Sequence, residues 1–268
     1  MSLGAATQNC WKQGGFFVII STLFCTFAFS YGGTTWGILT VLIFVFSFFN
    51  WLGEVKQKVM LSMGDELRTL PSVPTEFNWL DLELLEKYSN QFIELGFTKV
   101  TDYKLDEEYP PKGQGFARVF VHKDYHCFAE ISQLLGAGKK PTTMEYYIGS
   151  SLEKDWQLTT TTRPLLSVSF VWRNPKKLWT YNPHTPPKQL LQDHIQLRQK
   201  MIDSLQVNVY QELSWEFYCD QINKSFIERN KLWKRKNQII GLIEVTLFEM
   251  NPPSQWLGDY KRFVKEKL

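Results

Sequence analysis

The densest group of potential metal ligands in this sequence is the hexapeptide HKDYHC, which holds His122, Asp124, His126 and Cys127. Imidazole, carboxylate and thiolate together would suit zinc or another transition metal. The same stretch also reads as the tip of a β-hairpin, with Asp124 in the turn, where Asp is common. His122 and His126 then fall on different strands, and a complete site needs a further ligand that only the distant His184 or His194 could supply as imidazole. The hairpin is the simpler reading, and no cofactor is expected. A second candidate is His194, in LLQDHIQLRQKM, with Asp193 beside it and Arg198 one helical turn on. A histidine titrates near neutrality and could act as a general base. It sits beside an apolar stripe, where a packed, hydrogen-bonded imidazole is the simpler reading. Ser150, Ser151 and Thr159 to Thr162 place hydroxyls on neighbouring strands. A serine nucleophile needs a base within hydrogen-bond reach and a group that orients that base. The chain has no G-x-S-x-G elbow, and threonine is a good strand former. Gly113, Gly115, Gly136 and Gly138 lie near Lys112, Lys139 and Lys140, but neither loop fits a P-loop or dinucleotide fingerprint.

The run ERNKLWKRKN gathers Arg229, Lys231, Lys234, Arg235 and Lys236 around Trp233. Next to a bilayer such a run could lie on anionic headgroups, each basic residue contributing about 1 kcal/mol. The plainer reading is a solvated helix end, where cations complement the helix dipole.

The elements that would position these residues begin with an apolar N-terminus. The first 53 residues carry one charged side chain, Lys12. They contain the runs Gly14 to Tyr31 and Trp36 to Leu52, separated by Gly32-Gly33-Thr34-Thr35. A spanning helix needs about 20 mostly apolar residues, so each run is just long enough. The short link predicts a transmembrane helical hairpin, with Tyr31, Trp36 and Trp51 as membrane-interface anchors. Positive charge flanks both ends (Lys12 before; Lys56, Lys58 and Arg68 after) and is absent from the link. The positive-inside rule then puts both termini in the cytoplasm. The rival reading takes Phe16 to Phe27 as the core of a signal peptide, with a cleavage site at Ala28-Phe29-Ser30. The four cysteines, Cys10, Cys25, Cys127 and Cys219, show no C-x-x-C spacing and no disulfide framework, which fits a reducing compartment. The net charge of +3 is too small to imply nucleic acid.

Beyond the hairpin (1–53), the reading is a juxtamembrane helix and linker (54–77) and one α+β domain (78–268). A helix capped by Asn78 should bury Leu82, Leu85, Tyr88, Phe92 and Leu95 and end at Gly96. Strands follow at Thr98 to Leu105, Phe116 to His122, Phe128 to Ile131, Met144 to Gly149 and Trp156 to Thr162. An edge strand is expected at Ser167 to Arg173 or at Leu178 to Tyr181. Short turns between them predict an antiparallel meander. Helices return at Lys188 to Leu205 and Val209 to Lys236, the latter with Trp215, Cys219, Ile222, Phe226 and Trp233 as its apolar stripe. Gln238 to Phe248 is apolar apart from Glu244 and too short to span, and a short C-terminal helix follows Pro252-Pro253.

The succession LGF, FARVFVHKDYHCFAEI, IGSSLEKDWQLTTTTRP and QLLQDHIQL, covering roughly Asn78 to Leu205, resembles an uncharacterised bacterial domain found in membrane-anchored proteins, including cyanobacterial ones. The resemblance implies that the middle strands and the following helix form one unit. It brings no activity or site residues.

Without a catalytic motif or a charged residue inside the apolar runs, transport and proton relay are disfavoured. The leading expectation is a non-enzymatic accessory or assembly module, held at the lipid bilayer and offering its α+β domain to other membrane protein subunits. The alternatives are a membrane-bound hydrolase or metal-dependent enzyme, and a domain that cups a lipid or small apolar ligand.

Overall fold

The computed structural model describes residues 26–27, 29–48, 53, 68–106, 114–136, 140–165 and 167–265. Its first helix, α1, runs from Phe29–Phe48 and is long and apolar enough to cross a membrane, with almost none of its surface covered by the rest of the chain. This corrects the expected hairpin. Gly32 to Thr35, read as the turn, lies inside α1, and the only trace of a break is Gly33 at φ +71°. A local feature fits this continuity: on either side of the link the hydroxyls of Ser30 and Thr40 bond back to the carbonyls of Thr26 and Trp36, so these polar side chains are absorbed by the helix itself. The earlier part of the first apolar run and Trp51 lie outside the described residues. Tyr31 and Trp36 are exposed along α1.

The remainder is α+β, built on one eight-stranded sheet in sequential order. The strands are β1 (Thr69–Pro71), β2 (Thr98–Leu105), β3 (Gly115–His122), β4 (Cys127–Leu134), β5 (Glu145–Leu152), β6 (Trp156–Thr161), β7 (Lys177–Tyr181) and β8 (Gln255–Trp256). The helices are α2 (Leu82–Glu94), α3 (Ser167–Val171), α4 (Pro187–Leu205), α5 (Trp215–Arg235), α6 (Gln238–Met250) and α7 (Tyr260–Lys265). Five of the expected strands appear with small changes at their ends. The sixth corrects the pure meander: Lys177–Tyr181 lies inside the sheet and pairs parallel to β6, and Ser167–Val171 is a helix. A parallel partner cannot follow through a tight turn. The chain must return to the start of β6, and the connection carrying α3 makes that return. The segment read as a linker supplies β1, which pairs antiparallel with β2, and the buried Phe77.

Strand alternation gives the sheet two covered faces. Phe116, Phe120, Ile131, Tyr146 and Ile148 meet Leu85 and Phe92 of α2 and Leu190 of α4 on one face. Tyr103, Ala117, Val119, Val121 and Phe128 meet Tyr218 and Ile222 of α5 on the other. Asp81 rather than Asn78 caps α2: its carboxylate accepts from Leu84 N, while Gln133 Oε1 holds its own amide. Helix entry is thereby delayed until Phe77 and Leu80 are buried. Gly96, at φ +92°, ends the helix as expected. Arg118 is buried beneath α2, with Nε on Asp102 Oδ1 at 2.8 Å and Nη1 on Glu86 Oε1 at 2.8 Å.

Gly258 joins β8 to α7 at φ +49°, and a Cβ there would overlap the Pro175 carbonyl. A Gly258→Ala substitution should therefore lower stability by about 2 kcal/mol, as read from thermal melts of the detergent-solubilised chain. An unchanged melting temperature would contradict this.

Candidate functional site

The metal reading of HKDYHC does not gain a centre. No group of three or more His, Cys, Asp or Glu side chains close enough to hold a metal exists among the described residues. His122 Nε2 lies 3.1 Å from Leu95 O, and its Nδ1 accepts from Tyr125 N at 3.3 Å. Asp124 is exposed in the turn and His126 takes a left-handed φ of +46° there. Burial pushes the Cys127 thiol up to about 12, so it stays protonated near neutrality.

His194 has a more suggestive neighbourhood. It projects from α4 onto the sheet, where Ser150 of β5 and Thr160 of β6 lie diagonally across the strand pair. Ser150 Oγ is 2.8 Å from Nε2, and Thr160 Oγ1 is 3.0 Å from Nδ1. This is the serine–base contact that nucleophilic catalysis requires, but two features argue against that use. His194 is 0 % exposed and Ser150 4 %, which leaves no approach for a substrate. Arg198 Nη1 also donates to Ser150 Oγ at 3.0 Å, and to the Tyr125 carbonyl. Burial, with the Arg198 charge beside it, holds the imidazole down at about 3. A base that weak takes no proton from serine near neutral pH. The cluster clamps α4 to the sheet.

A second buried polar cluster lies on the opposite face. Register puts Glu130 of β4 directly across from Tyr147 of β5 and, on its other side, from Val119 of β3. Tyr103 Oη donates to Glu130 Oε2 at 2.8 Å, Tyr147 Oη at 3.2 Å, and Tyr218 Oη of α5 also donates to it. Burial first, and then the Glu130 charge, raises all three phenols well above their ordinary value. They remain donors and do not serve as bases.

Two of these tyrosines, Tyr147 and Tyr218, form one end of a cavity of about 370 Å³ between α5 and the sheet. The space follows from the β5 sequence. The positions that alternate toward α5 after Tyr147 are Gly149 and Ser151, which are too small to fill the gap. A Cβ on Gly149 would meet nothing nearer than 3.6 Å, so the gap is real space and not a close backbone approach. The opposite wall is one face of α5, with Tyr218, Ile222, Ser225 and Arg229 at helical spacing, closed by Trp172 after α3.

Arg229 is the unusual member of this wall. Its guanidinium carbon stacks 3.8 Å from the Phe226 ring centre and 5.4 Å from that of Trp172. Its Nε and Nη2 are buried and make no hydrogen bond to a described residue. Burial alone lowers it to about 10, with no acid offsetting the shift. The adjacent carboxylate, Glu228, is taken by Lys177 Nζ at 2.7 Å and Asn174 Nδ2 at 3.1 Å. Arg229 is thus a charged cation at neutral pH without an anionic partner among the described residues, in a cavity whose surface is mostly apolar but which Arg173, Lys177 and Glu228 also line.

The basic run therefore divides. Arg229 and Trp233 turn inward, Trp233 standing edge-on to Trp172 at 5.4 Å. Lys236 binds Glu244 at 2.6 Å. Lys231, Lys234 and Arg235 stay exposed. Sequence reasoning took the run as one surface strip and missed Glu130 and Arg229. Both left a signal: Glu130 interrupts an apolar strand, and Arg229 follows Phe226 by three residues and Ile222 by seven, on the buried stripe of the helix. No protein-family model, curated protein or solved structure matches this chain, so what the cavity takes must be argued from its chemistry.

Proposed function

We propose that this protein is a membrane-anchored, non-enzymatic binding domain whose cavity takes a small anionic ligand with an apolar, preferably aromatic, body. The observation that carries the reading is Arg229 in the wall of a largely apolar cavity, with Nε and Nη2 buried and unbonded among the described residues and the one acid of the wall, Glu228, held by Lys177. A buried charge is costly unless paired, and a carboxylate or phosphate in the cavity would pair it. The volume of about 370 Å³ falls within the usual range of small-molecule sites. Phe226 and Trp172, which also hold Arg229, line the cavity and give the ligand body an aromatic wall. The anchor is α1. Lys56, Lys58 and Arg68 after it favour a cytoplasmic domain. Protease added outside intact cells should leave that domain uncut, and digestion there would reverse the orientation.

The binding test uses the full chain in lipid nanodiscs, titrated calorimetrically with 2-naphthoate and with its neutral amide, 2-naphthamide. Naphthoate should bind at least about tenfold more tightly than the amide, a difference of about 1.4 kcal/mol. Arg229→Met should erase that preference, and Gly149→Trp should occupy much of the cavity and weaken binding of both. If neither probe binds, or if neither substitution matters, the reading fails.

A second reading, a docking module for other membrane protein subunits, remains compatible with the anchor. Its motive is the exposed apolar side of α6, a face that a partner subunit and the bilayer cannot both cover.

A further inference from the structure

The helix α6 is two-sided. Gly241, Val245 and Phe248 face inward, with Gly241 against Val171 of α3 and Phe248 against Phe170. The opposite side exposes Ile239, Ile240, Ile243, Leu247 and Met250, the last two at 60 % and 78 %. At about 100° per residue these five side chains fall within an arc of about 100°. A run of large apolar groups over about 20 Å of helix is more than the scattered apolar exposure normal for soluble surfaces. Neither acidic residue of the helix reaches this arc: Glu244 is drawn to the inner edge, where Lys236 binds it at 2.6 Å and Arg173 at 3.4 Å, and Glu249, on the flank, accepts from Ser167 Oγ at 2.9 Å. The arc itself is thus uncharged. Leading into it is the end of α5, whose exposed residues Lys231, Lys234 and Arg235 are all basic. Asn237 joins the two helices, its side chain accepting from Ile239 N and Ile240 N.

We propose that the outer face of α6 lies on the bilayer, its apolar arc seated at the headgroup–acyl boundary and Lys231, Lys234 and Arg235 on anionic headgroups. An uncharged apolar arc preceded by a cationic helix end suits a segment that lies in the membrane interface, and anionic lipid is the occupant that complements both parts. The inference rests on the reading of α1 as a membrane anchor and is independent of the cavity. The second hold would fix the domain against the membrane surface.

The test uses the full chain in nanodiscs that carry a trace of diazirine-labelled phosphatidylcholine. Lipid adducts are mapped by peptide mass spectrometry after illumination. Adducts should form in residues 238–250 and rise about three- to tenfold when phosphatidylglycerol is mixed into phosphatidylcholine. Combined Lys231→Glu, Lys234→Glu and Arg235→Glu should remove that rise, and combined Ile243→Asn and Leu247→Asn should remove the adducts. Adducts along Phe29–Phe48 report the anchor separately. Their presence without adducts in 238–250 overturns this proposal and leaves the anchor standing, whereas the converse overturns the anchor alone. A chemical cross-link joining the 238–250 segments of two copies would assign the face to self-association and overturn the proposal.

Discussion

Acidification from pH 7 to pH 4 should destabilise the wild-type chain far more than a His194→Gln variant. In the fold, burial and the Arg198 charge hold His194 at about 3, whereas an exposed histidine in the unfolded chain titrates near 6.5. Between those values the unfolded chain binds a proton that the folded chain refuses. Stability from this group is therefore complete above about pH 6.5 and falls as the pH drops toward 3, at up to about 1.4 kcal/mol per pH unit. By pH 4 the loss should approach about 3 kcal/mol. His194→Gln removes the titration and also disturbs the bonds to Ser150 and Thr160, so the variant should be less stable than wild type at pH 7. The two should converge on acidification. Thermal or urea unfolding of the solubilised full chain at stepped pH reads this directly. A gap that stays constant from pH 7 to pH 4 would show that His194 does not remain neutral in the fold.

Loss of Glu130 should be the most damaging single change on the α5 face. Its Oε2 is the acceptor shared by Tyr103, Tyr147 and Tyr218. Glu130→Leu would leave three phenol hydroxyls around the site without that acceptor. A hydrogen bond to a charged group is worth about 1.5–3 kcal/mol, and the three share one oxygen and will not add. An overall loss of about 3–5 kcal/mol is expected, with each single Tyr→Phe change costing about 1–2 kcal/mol. Replacing all four residues together (Glu130→Leu with the three Tyr→Phe changes) should recover part of the loss, because no buried donor is then stranded. If Glu130→Leu unfolds within about 1 kcal/mol of wild type, the cluster is not what ties α5 to the sheet. Tyr147 and Tyr218 also end the cavity, so Glu130→Leu should weaken naphthoate binding along with stability.

Period and caps carried much of the fold in the sequence. Thr98 to Leu105, the hairpin around Lys123-Asp124 and the turn at Glu153-Lys154-Asp155 are local patterns, and they fold as such. So does the stripe of Leu85 and Phe92 in α2. Within the α+β domain, the misplaced features depended on partners distant in sequence. Asn78 and Asp81 are both good caps, and Gln133, more than fifty residues away, holds Asp81. Lys177–Tyr181 has the same alternation whether it runs with or against β6, and only the return through α3 makes it parallel.

The same division governs the site. Composition and the apolar run determined by themselves that the chain carries a helix able to cross a membrane, joined to an α+β domain. Arg229 follows Phe226 by three residues and Ile222 by seven, a spacing that could have placed it on the inner side of α5 instead of on a surface strip, yet its lack of an acidic partner could not be read there. Partnership in a folded core depends on which carboxylates other elements bring near and which cations reach them first. Glu228 is claimed by Lys177 of β7 and Glu244 by Lys236. Tertiary structure alone decided that Arg229 should be left beside an open cavity, because Gly149 and Ser151 happen to face α5 across it.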